Sequence, residues 1–494
     1  MKRASFGFIN PLSKQDLAVL GMITLAMGAV YLLASELTFR VGFPLDDSWI
    51  HQTFARNLAE HGEWSFRLGV PSAGSTSPLW SALLAIGYLL HLGPYIWTYF
   101  IGLLVMWGMG MVGEIAARRL VSTYTPRLPW AGIFLILEWH LFWAAMSGME
   151  TLLHGLIVTV VLAALMMNSH RYLTLGLLTG LSVWVRPDGL TLLGPLVLAV
   201  LLNERDTSTR LRGLLRVALG FGTVFFFYLL FNLLIGGTPM PNTFYAKQAE
   251  YASWQALPIT ERLGQLSLQL LGGPSFLLLP GIIIWLVKSV KTRSWGGLLA
   301  LTWVAGYLTI YVSRLPVYQH GRYIMPAMPI LFLIGLLAVV EFASSKVFGR
   351  YHWFVNTLWV ASLGVVSILF VILGARAYAQ DVALIEQEMV VPAKWVNANL
   401  PPNAVIAAHD IGALGFFDNH ELIDMAGLVT PDVIPFIRDE DRLSAYLDEQ
   451  GVDYLIAFAD LYPDMVLGKE EVFVADGSVA EEANWAPMTI YRWK

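Results

Sequence analysis

Eleven apolar runs constrain this chain more than any other feature of it. They lie near residues 17–36, 96–117, 129–147, 150–168, 172–186, 188–203, 214–235, 268–288, 295–313, 323–343 and 353–374. Several approach the ~20 residues that a helix needs to cross a bilayer. The runs are continuous and do not alternate, which excludes a transmembrane β-barrel. Lipid offers backbone groups no water, so such segments have to be helical. Composition agrees: 56% of the 494 residues are hydrophobic and 14% charged, more apolar surface than a soluble core hides. The chain has no cysteine, which rules out disulfides and thiolate metal or redox sites. The first run follows Lys2, Arg3 and Lys14 and precedes no small-x-small cleavage site. It reads as an uncleaved span.

Orientation follows from basic residues in short loops. If the short run 78–92 lies at the interface and does not cross, one side collects Lys2, Arg3, Lys14, Arg118, Arg119, Arg127, Arg171, Arg205, Arg210, Arg212, Arg216, Lys288, Lys291, Arg293, Lys346 and Arg350. The other side has Arg40, Arg56, Arg67, Arg186, Lys247, Arg262, Arg314 and Arg322, eight against sixteen. Counting 78–92 as a span scrambles this pattern. The expectation is therefore eleven spans, with the N-terminus cytoplasmic and the C-terminus outside, in a bacterial plasma membrane. Residues 1–374 form the membrane domain, and 37–95 its first outer loop. Residues 375–494 carry 21 of the 36 acidic and 7 of the 31 basic residues. They read as a small extracytoplasmic α/β domain, with helices at 391–399 and 442–450 and strands at 404–408, 422–424 and 454–458.

The first outer loop is long and polar, as functional loops are. It holds Asp46-Asp47-Ser48-Trp49-Ile50-His51 and Arg56-Asn57. Paired carboxylates can bind a divalent cation, or supply one base and its orienting partner; the bland reading is a helix N-cap. The other outer loops add Glu150, Arg186-Pro187-Asp188, Asn242 to Lys247, and His320-Gly321-Arg322. Acids and bases thus gather on one membrane face, which suits a polar anionic ligand, although interfacial arginines also snorkel there. Glu114, Glu138 and His140 fall within spans, where ionisable groups are costly. Pairing of Glu138 with His140 accounts for two of them without catalysis.

These motifs resemble the GT-C superfamily of membrane glycosyltransferases. The resemblance rests on Asp46-Asp47 continuing to Ala55-Arg56-Asn57-Leu58-Ala59-Glu60-His61-Gly62, and on Ser75-Thr76-Ser77-Pro78-Leu79-Trp80. Ser147-Gly148-Met149-Glu150-Thr151, Arg186-Pro187-Asp188-Gly189 and Pro241-Asn242-Thr243-Phe244-Tyr245-Ala246-Lys247 extend it. The pattern is similar to that of bacterial relatives of the mycobacterial terminal arabinofuranosyltransferases, whose outer domain Asp410-Ile411-Gly412 and Leu422-Ile423-Asp424 also resemble. The resemblance implies a GT-C fold of about 11 transmembrane helices with interfacial helices in the first outer loop. It also implies inverting transfer of a pentose or hexose from a polyprenyl-phosphate donor, on the outer face, to a glycan, lipid or protein acceptor. Neither a nucleotide cofactor nor a nucleic acid takes part.

Within that reading the catalytic acids are Asp46, Asp47 and Glu150, with Asp46 slightly favoured over Asp47 as base. Arg186, Lys247, Arg322 and His320 are the donor-phosphate candidates. Trp49, His51, Arg56, Asn242 and Tyr245 are substrate-binding candidates, and Asp47 is the candidate ligand of a divalent cation. Two alternatives compete: a lipid or solute transporter, which normally shows repeated, broken helices with midplane polar groups, and a non-catalytic assembly protein of the same fold.

Overall fold

The computed structural model describes residues 12–343, 349–482 and 485–494; Lys2, Arg3 and Lys346 of the charge pattern lie outside them. Among the described residues seven helical stretches are long and apolar enough to cross a membrane, and four shorter apolar helices accompany them. The protein is a multi-pass membrane protein. In chain order the helices of the first half are α1 (Lys14–Thr38), α2 (Asp47–His61), α3 (Pro78–Leu89), α4 (Gly93–Leu120), α5 (Trp130–Leu137), α6 (Trp139–Met146), α7 (Thr151–Met166), α8 (Tyr172–Val185), α9 (Leu193–Asn203) and α10 (Thr207–Gly236). A small hairpin of β1 (Ser65–Arg67) and β2 (Val70–Pro71) follows α2. Next come α11 (Asn242–Glu250), α12 (Ala252–Ala256), α13 (Ile259–Leu271), α14 (Ser275–Thr292), α15 (Trp295–Arg314), α16 (Met328–Ala343) and α17 (His352–Ile385).

Helix occurs in every predicted apolar run, but four runs are not single helices, among them 323–343, which opens in a 3-10 turn at Met325–Ala327. The run 129–147 breaks between α5 and α6 at Glu138, whose extended backbone lets its carboxylate cap Leu141 N at 3.1 Å. Its other oxygen pairs with His140 Nδ1 at 2.8 Å, so this buried pair holds a helix break. The run at 268–288 breaks between α13 and α14, around Gly272 and Pro274. The run at 188–203 opens in a 3-10 turn, Pro187–Leu192. Helix α3 has 12 residues, or about 18 Å, less than the ~30 Å of a hydrocarbon core. Glu114 also has a structural partner set: it accepts from Arg118 Nε at 2.7 Å and from Ala131 N, the start of α5, at 3.1 Å.

The chain leaves the bundle without a joint. Helix α17 runs unbroken through residue 375, and a π-helical turn Glu386–Val390 leads into α18 (Val391–Asn399). Then follow β3 (Val405–Ala408), α19 (Gly412–Phe417), β4 (Glu421–Asp424), α20 (Glu440–Glu449), β5 (Tyr454–Phe458), β6 (Glu470–Val474) and β7 (Met488–Arg492). The sheet order is β4-β3-β5-β7-β6, with β4, β3 and β5 parallel and β7 antiparallel to both its neighbours. Strand parity divides its faces. Ala407, Leu455 and Tyr491 pack with Leu443 and Leu447 of α20, whereas Ile406, Ala408, Ile456 and Ile490 join the core that continues into the membrane bundle. The outer domain and the bundle therefore share one hydrophobic core.

Close helix contact explains several glycines. A Cβ on Gly102 of α4 would overlap the Ala145 carbonyl of α6, whereas one on Gly222 of α10 meets nothing within 4 Å. Gly102→Ala is therefore expected to lower the thermal midpoint of the detergent-purified protein clearly. Gly222→Ala should leave it level or raise it slightly, by up to about 1 kcal/mol of helix propensity. Equal effects of the two substitutions would contradict the α4–α6 contact.

Candidate functional site

A cavity of about 630 Å³ opens where α2, α7, the turn after α8, α11 and α15 converge. Asp47, Glu150, Arg186, Asp188, Lys247, Arg314 and Arg322 line it together with Tyr307, Tyr311 and Tyr323. Five of the outer-loop motifs singled out in sequence thus meet at one place. Asp188, Arg314 and the three tyrosines were not assigned roles there. Asp188 stood inside a quoted motif, and Tyr307 and Tyr311 carry only the weak signal of two hydroxyls four residues apart, on one face of an apolar helix.

The acidic pair is split. Asp47 begins α2 and faces the cavity, its side chain 28% exposed. Its Oδ2 accepts from Arg322 Nη2 at 2.6 Å and lies 3.9 Å from Lys247 Nζ. Burial raises its pKa, but Arg322 and Lys247 outweigh burial and hold the carboxyl well below the usual range. Asp46 turns the other way. It occupies the N-cap position of α2 yet makes no side-chain cap bond there, so the cap reading fails. Its carboxylate accepts the backbone N–H of Gly412 at 2.6 Å and of Ala413 at 2.8 Å, at the start of α19. A Cβ on Gly412 would overlap the Asp46 carbonyl; only glycine admits this approach. Asp46, the residue slightly favoured as base, is therefore held by the outer domain and does not line the cavity.

The other wall is a buried ion network. Arg186 Nη1 donates to Glu150 Oε1 at 3.0 Å, and its Nε donates to Asp188 Oδ1 at 3.2 Å. Asp188 Oδ2 also accepts from Tyr307 at 2.6 Å and from Tyr311. His51 Nε2 lies 3.3 Å from Glu150 Oε2, a buried oxygen with no hydrogen-bond partner among the described residues, and its Nδ1 is 2.9 Å from Ser81 Oγ. Arg322 differs from Arg186. Its Nε and Nη1 are buried, and no hydrogen-bond partner meets either among the described residues.

Several expected ligand residues serve elsewhere. His320 lies 2.7 Å from Asp381 and packs edge-on against Trp139 and Trp143, outside the cavity. Trp49 is fully buried between Phe43, Phe416 and Phe417. Arg56 donates to the Phe416 carbonyl at 2.8 Å and lies over that ring. Both anchor the outer domain to α2. Asn242 ties the start of α11 to the first outer loop through its N–H to Ala73 O at 3.1 Å. On α11, Phe244 and not Tyr245 lines the cavity. As for a cation, Asp47 already has two basic partners, and no group of three or more His, Asp or Glu side chains among the described residues is placed to hold a metal. The donor set does not fit a divalent ion.

Comparison with solved structures places this arrangement. Over 98% of this chain and 99% of the other, it superposes on ArnT from Cupriavidus metallidurans bound to undecaprenyl phosphate, with a TM-score of 0.59 and 16% identity. The fold is GT-C. The apo form of ArnT from the same organism gives a TM-score of 0.54 at 18% identity, over 97% of this chain and 98% of that one. Residues 377–492 match a family described as a domain of unknown function, DUF8728. No curated protein matches the chain.

Burial, then the neighbouring Asp410, pushes the Asp46 carboxyl up to about 7, against the lowering effect of the Ala413 and Gly412 N–H groups. A folded pKa above the ordinary 3.8 means that this group's contribution to stability is full below about 3.8 and is lost as pH rises through about 7. Wild-type protein should lose stability across that window more steeply than Asp46→Asn, as read from thermal midpoints at a series of pH values. Parallel pH profiles would remove Asp46 as the cause.

Proposed function

We infer that the protein is a membrane glycosyltransferase that moves a sugar from a polyprenyl phosphate to a hydroxyl of a cell-envelope glycan, lipid or protein acceptor. The observation that carries this reading is that one cavity sets Asp47, which accepts from Arg322 Nη2, beside the Nε and Nη1 groups of Arg322, which have no partner among the described residues. A fold shared with an undecaprenyl-phosphate-bound protein supports it. The basic-residue pattern favours a plasma-membrane location with the cavity and the outer domain on the outer face.

Asp47 serves as the base. Its Oδ1 meets no protein donor among the described residues, so an acceptor hydroxyl can bind there. The acceptor oxygen attacks the anomeric carbon opposite the phosphate and its proton passes to Asp47. The bond from the anomeric carbon to the phosphate oxygen breaks, and polyprenyl phosphate leaves with the electron pair. The sugar inverts. Arg322 and Lys247 meet the charge that develops on the leaving oxygen, which is where preorganised donors contribute most. The same two cations hold Asp47 acidic while the cavity is free of donor. A bound phosphate competes for them, so the Asp47 pKa rises and the carboxylate becomes a better base once donor is present. No nucleotide takes part, and the cations do the work a divalent ion would do.

Asp47→Asn should lower transfer by on the order of 10²–10⁴-fold, the usual contribution of a positioned base, with polyprenyl phosphate binding retained. The check is release of polyprenyl phosphate from a polyprenyl-phosphate-sugar in membranes containing the overproduced chain. Wild-type turnover by Asp47→Asn would sink the assignment. Movement of intact donor across the bilayer without cleavage would favour a transporter.

A further inference from the structure

Resting on the reading of Arg322 as a cation that meets the donor phosphate, we propose that His320 and Asp381 are its positioning residues. They hold a strained turn that aims the Arg322 guanidinium at Asp47. Three successive residues, Gln319, His320 and Gly321, have φ of 51°, 58° and 74°. This left-handed region is costly for a residue with a Cβ. Three other non-glycine residues adopt it among the described residues, His91, Asn168 and Arg293. Each does so singly, just past the end of a helix, where one left-handed residue is an ordinary terminator. Gln319 and His320 follow no helix end. Helix α15 stops at Arg314, and the chain reaches them extended, with Tyr318 at φ −81° and ψ 164°. Such a pair persists only where its surroundings over-determine it.

The surroundings do so through His320. Its Nε2 donates to Asp381 Oδ2 of α17 at 2.7 Å, and Trp143 Nε1 of α6 donates to the same oxygen at 2.8 Å. The imidazole packs edge-on against Trp139 and Trp143, with ring centroids 5.3 and 5.4 Å away. A Cβ on Gly321 would stand 3.3 Å from Gln269 of α13, so α6, α13 and α17 all close on the turn. The turn in turn sets Arg322, whose N–H donates to the Gln319 carbonyl at 3.2 Å. Arg322 itself has helical backbone, at φ −49° and ψ −33°. Relaxing residues 319 and 320 to negative φ redirects the chain at Arg322 and carries the guanidinium off Asp47 Oδ2, which Nη2 meets at 2.6 Å. Neither His320 nor Asp381 lines the cavity, so they act on transfer through Arg322. A donor aimed before charge develops is what such a site requires.

The test is binding of fluorescent undecaprenyl phosphate to the detergent-purified full chain. His320→Ala should weaken binding by about tenfold, or about 1.4 kcal/mol. Asp381→Asn leaves Trp143 an acceptor but removes the charge that grips His320, and should weaken binding by about threefold or more. His320→Gln places an N–H donor near the position of Nε2 and should restore binding to within about threefold of wild type. In an Arg322→Lys background a flexible ammonium replaces the aimed fork, and His320→Ala should cost less than about twofold there. Wild-type binding by folded His320→Ala overturns the proposal and leaves the donor reading in place. So does failure of the Gln variant to restore binding, or the same loss in both Arg322 backgrounds, which marks a turn with a structural role alone. If His320→Ala fails to fold, Asp381→Asn decides, and wild-type binding by it overturns the proposal. If the wild-type chain binds no undecaprenyl phosphate, the donor reading falls and the proposal with it.

Discussion

The contact between the Asp46 carboxylate and the first two amides of α19 joins the two halves of this protein beside the cavity that Asp47 lines. Asp46 and Asp47 are adjacent on the first turn of α2, where successive residues project about 100° apart. Fixing one on the outer domain therefore aims the other at the cavity. The bonds to Gly412 and Ala413 are short and buried, and a carboxylate bound to backbone amides is a strong hydrogen-bonding arrangement. Trp49 and Arg56 extend the same seam about one and three turns further, against Phe416 and Phe417. The outer domain is thus continuous with the bundle's core, and not a module on a tether.

The architecture was legible because bilayer physics writes it plainly. Apolar runs located the helices, and the basic-residue count kept 78–92 out of the spans, in keeping with the 12-residue α3. The illegible parts are those in which a local polar bond overrides an apolar pattern. Nothing in the hydropathy of 129–147 marks the break at Glu138, since the break exists to let that carboxylate cap α6. Strands β6 and β7 were missed for a related reason: Glu470 and Glu471 dilute the pattern of one, and the other lies at the chain's end beside Pro487. The start of the outer domain was placed at residue 375, but α17 runs through that point unbroken.

The site was legible as a set of motifs and illegible as a set of roles. Sequence shows which outer-loop residues are ionisable and on which side they fall, but not how they pair. Asp46 and His320 looked like catalytic and phosphate groups, and each is committed to a partner that distance along the chain conceals: Gly412 in one case, Asp381 in the other. Asp188 was visible beside Arg186 and could be assigned only once Tyr307 and Tyr311 were known to converge on it.

Two arginines in this cavity show why pairing and not residue type decides function. Both are buried and both were candidates for phosphate. Arg186 has Glu150, Asp188 and the Tyr311 hydroxyl around it, so its donors are spent and its charge is neutralised from within the protein. Arg322 spends Nη2 on Asp47 and the Tyr323 hydroxyl, while Nε and Nη1 stay buried without a partner. Leaving buried donors unmade costs about 1–3 kcal/mol apiece, more for a charged group, a cost a fold sustains where a ligand supplies the missing acceptor. A phosphate oxygen would be such an acceptor, and the neighbouring Asp47 keeps a second oxygen that no described donor reaches. On the proposed reading, the unsatisfied arginine serves the anionic leaving group and the half-satisfied aspartate the hydroxyl that displaces it.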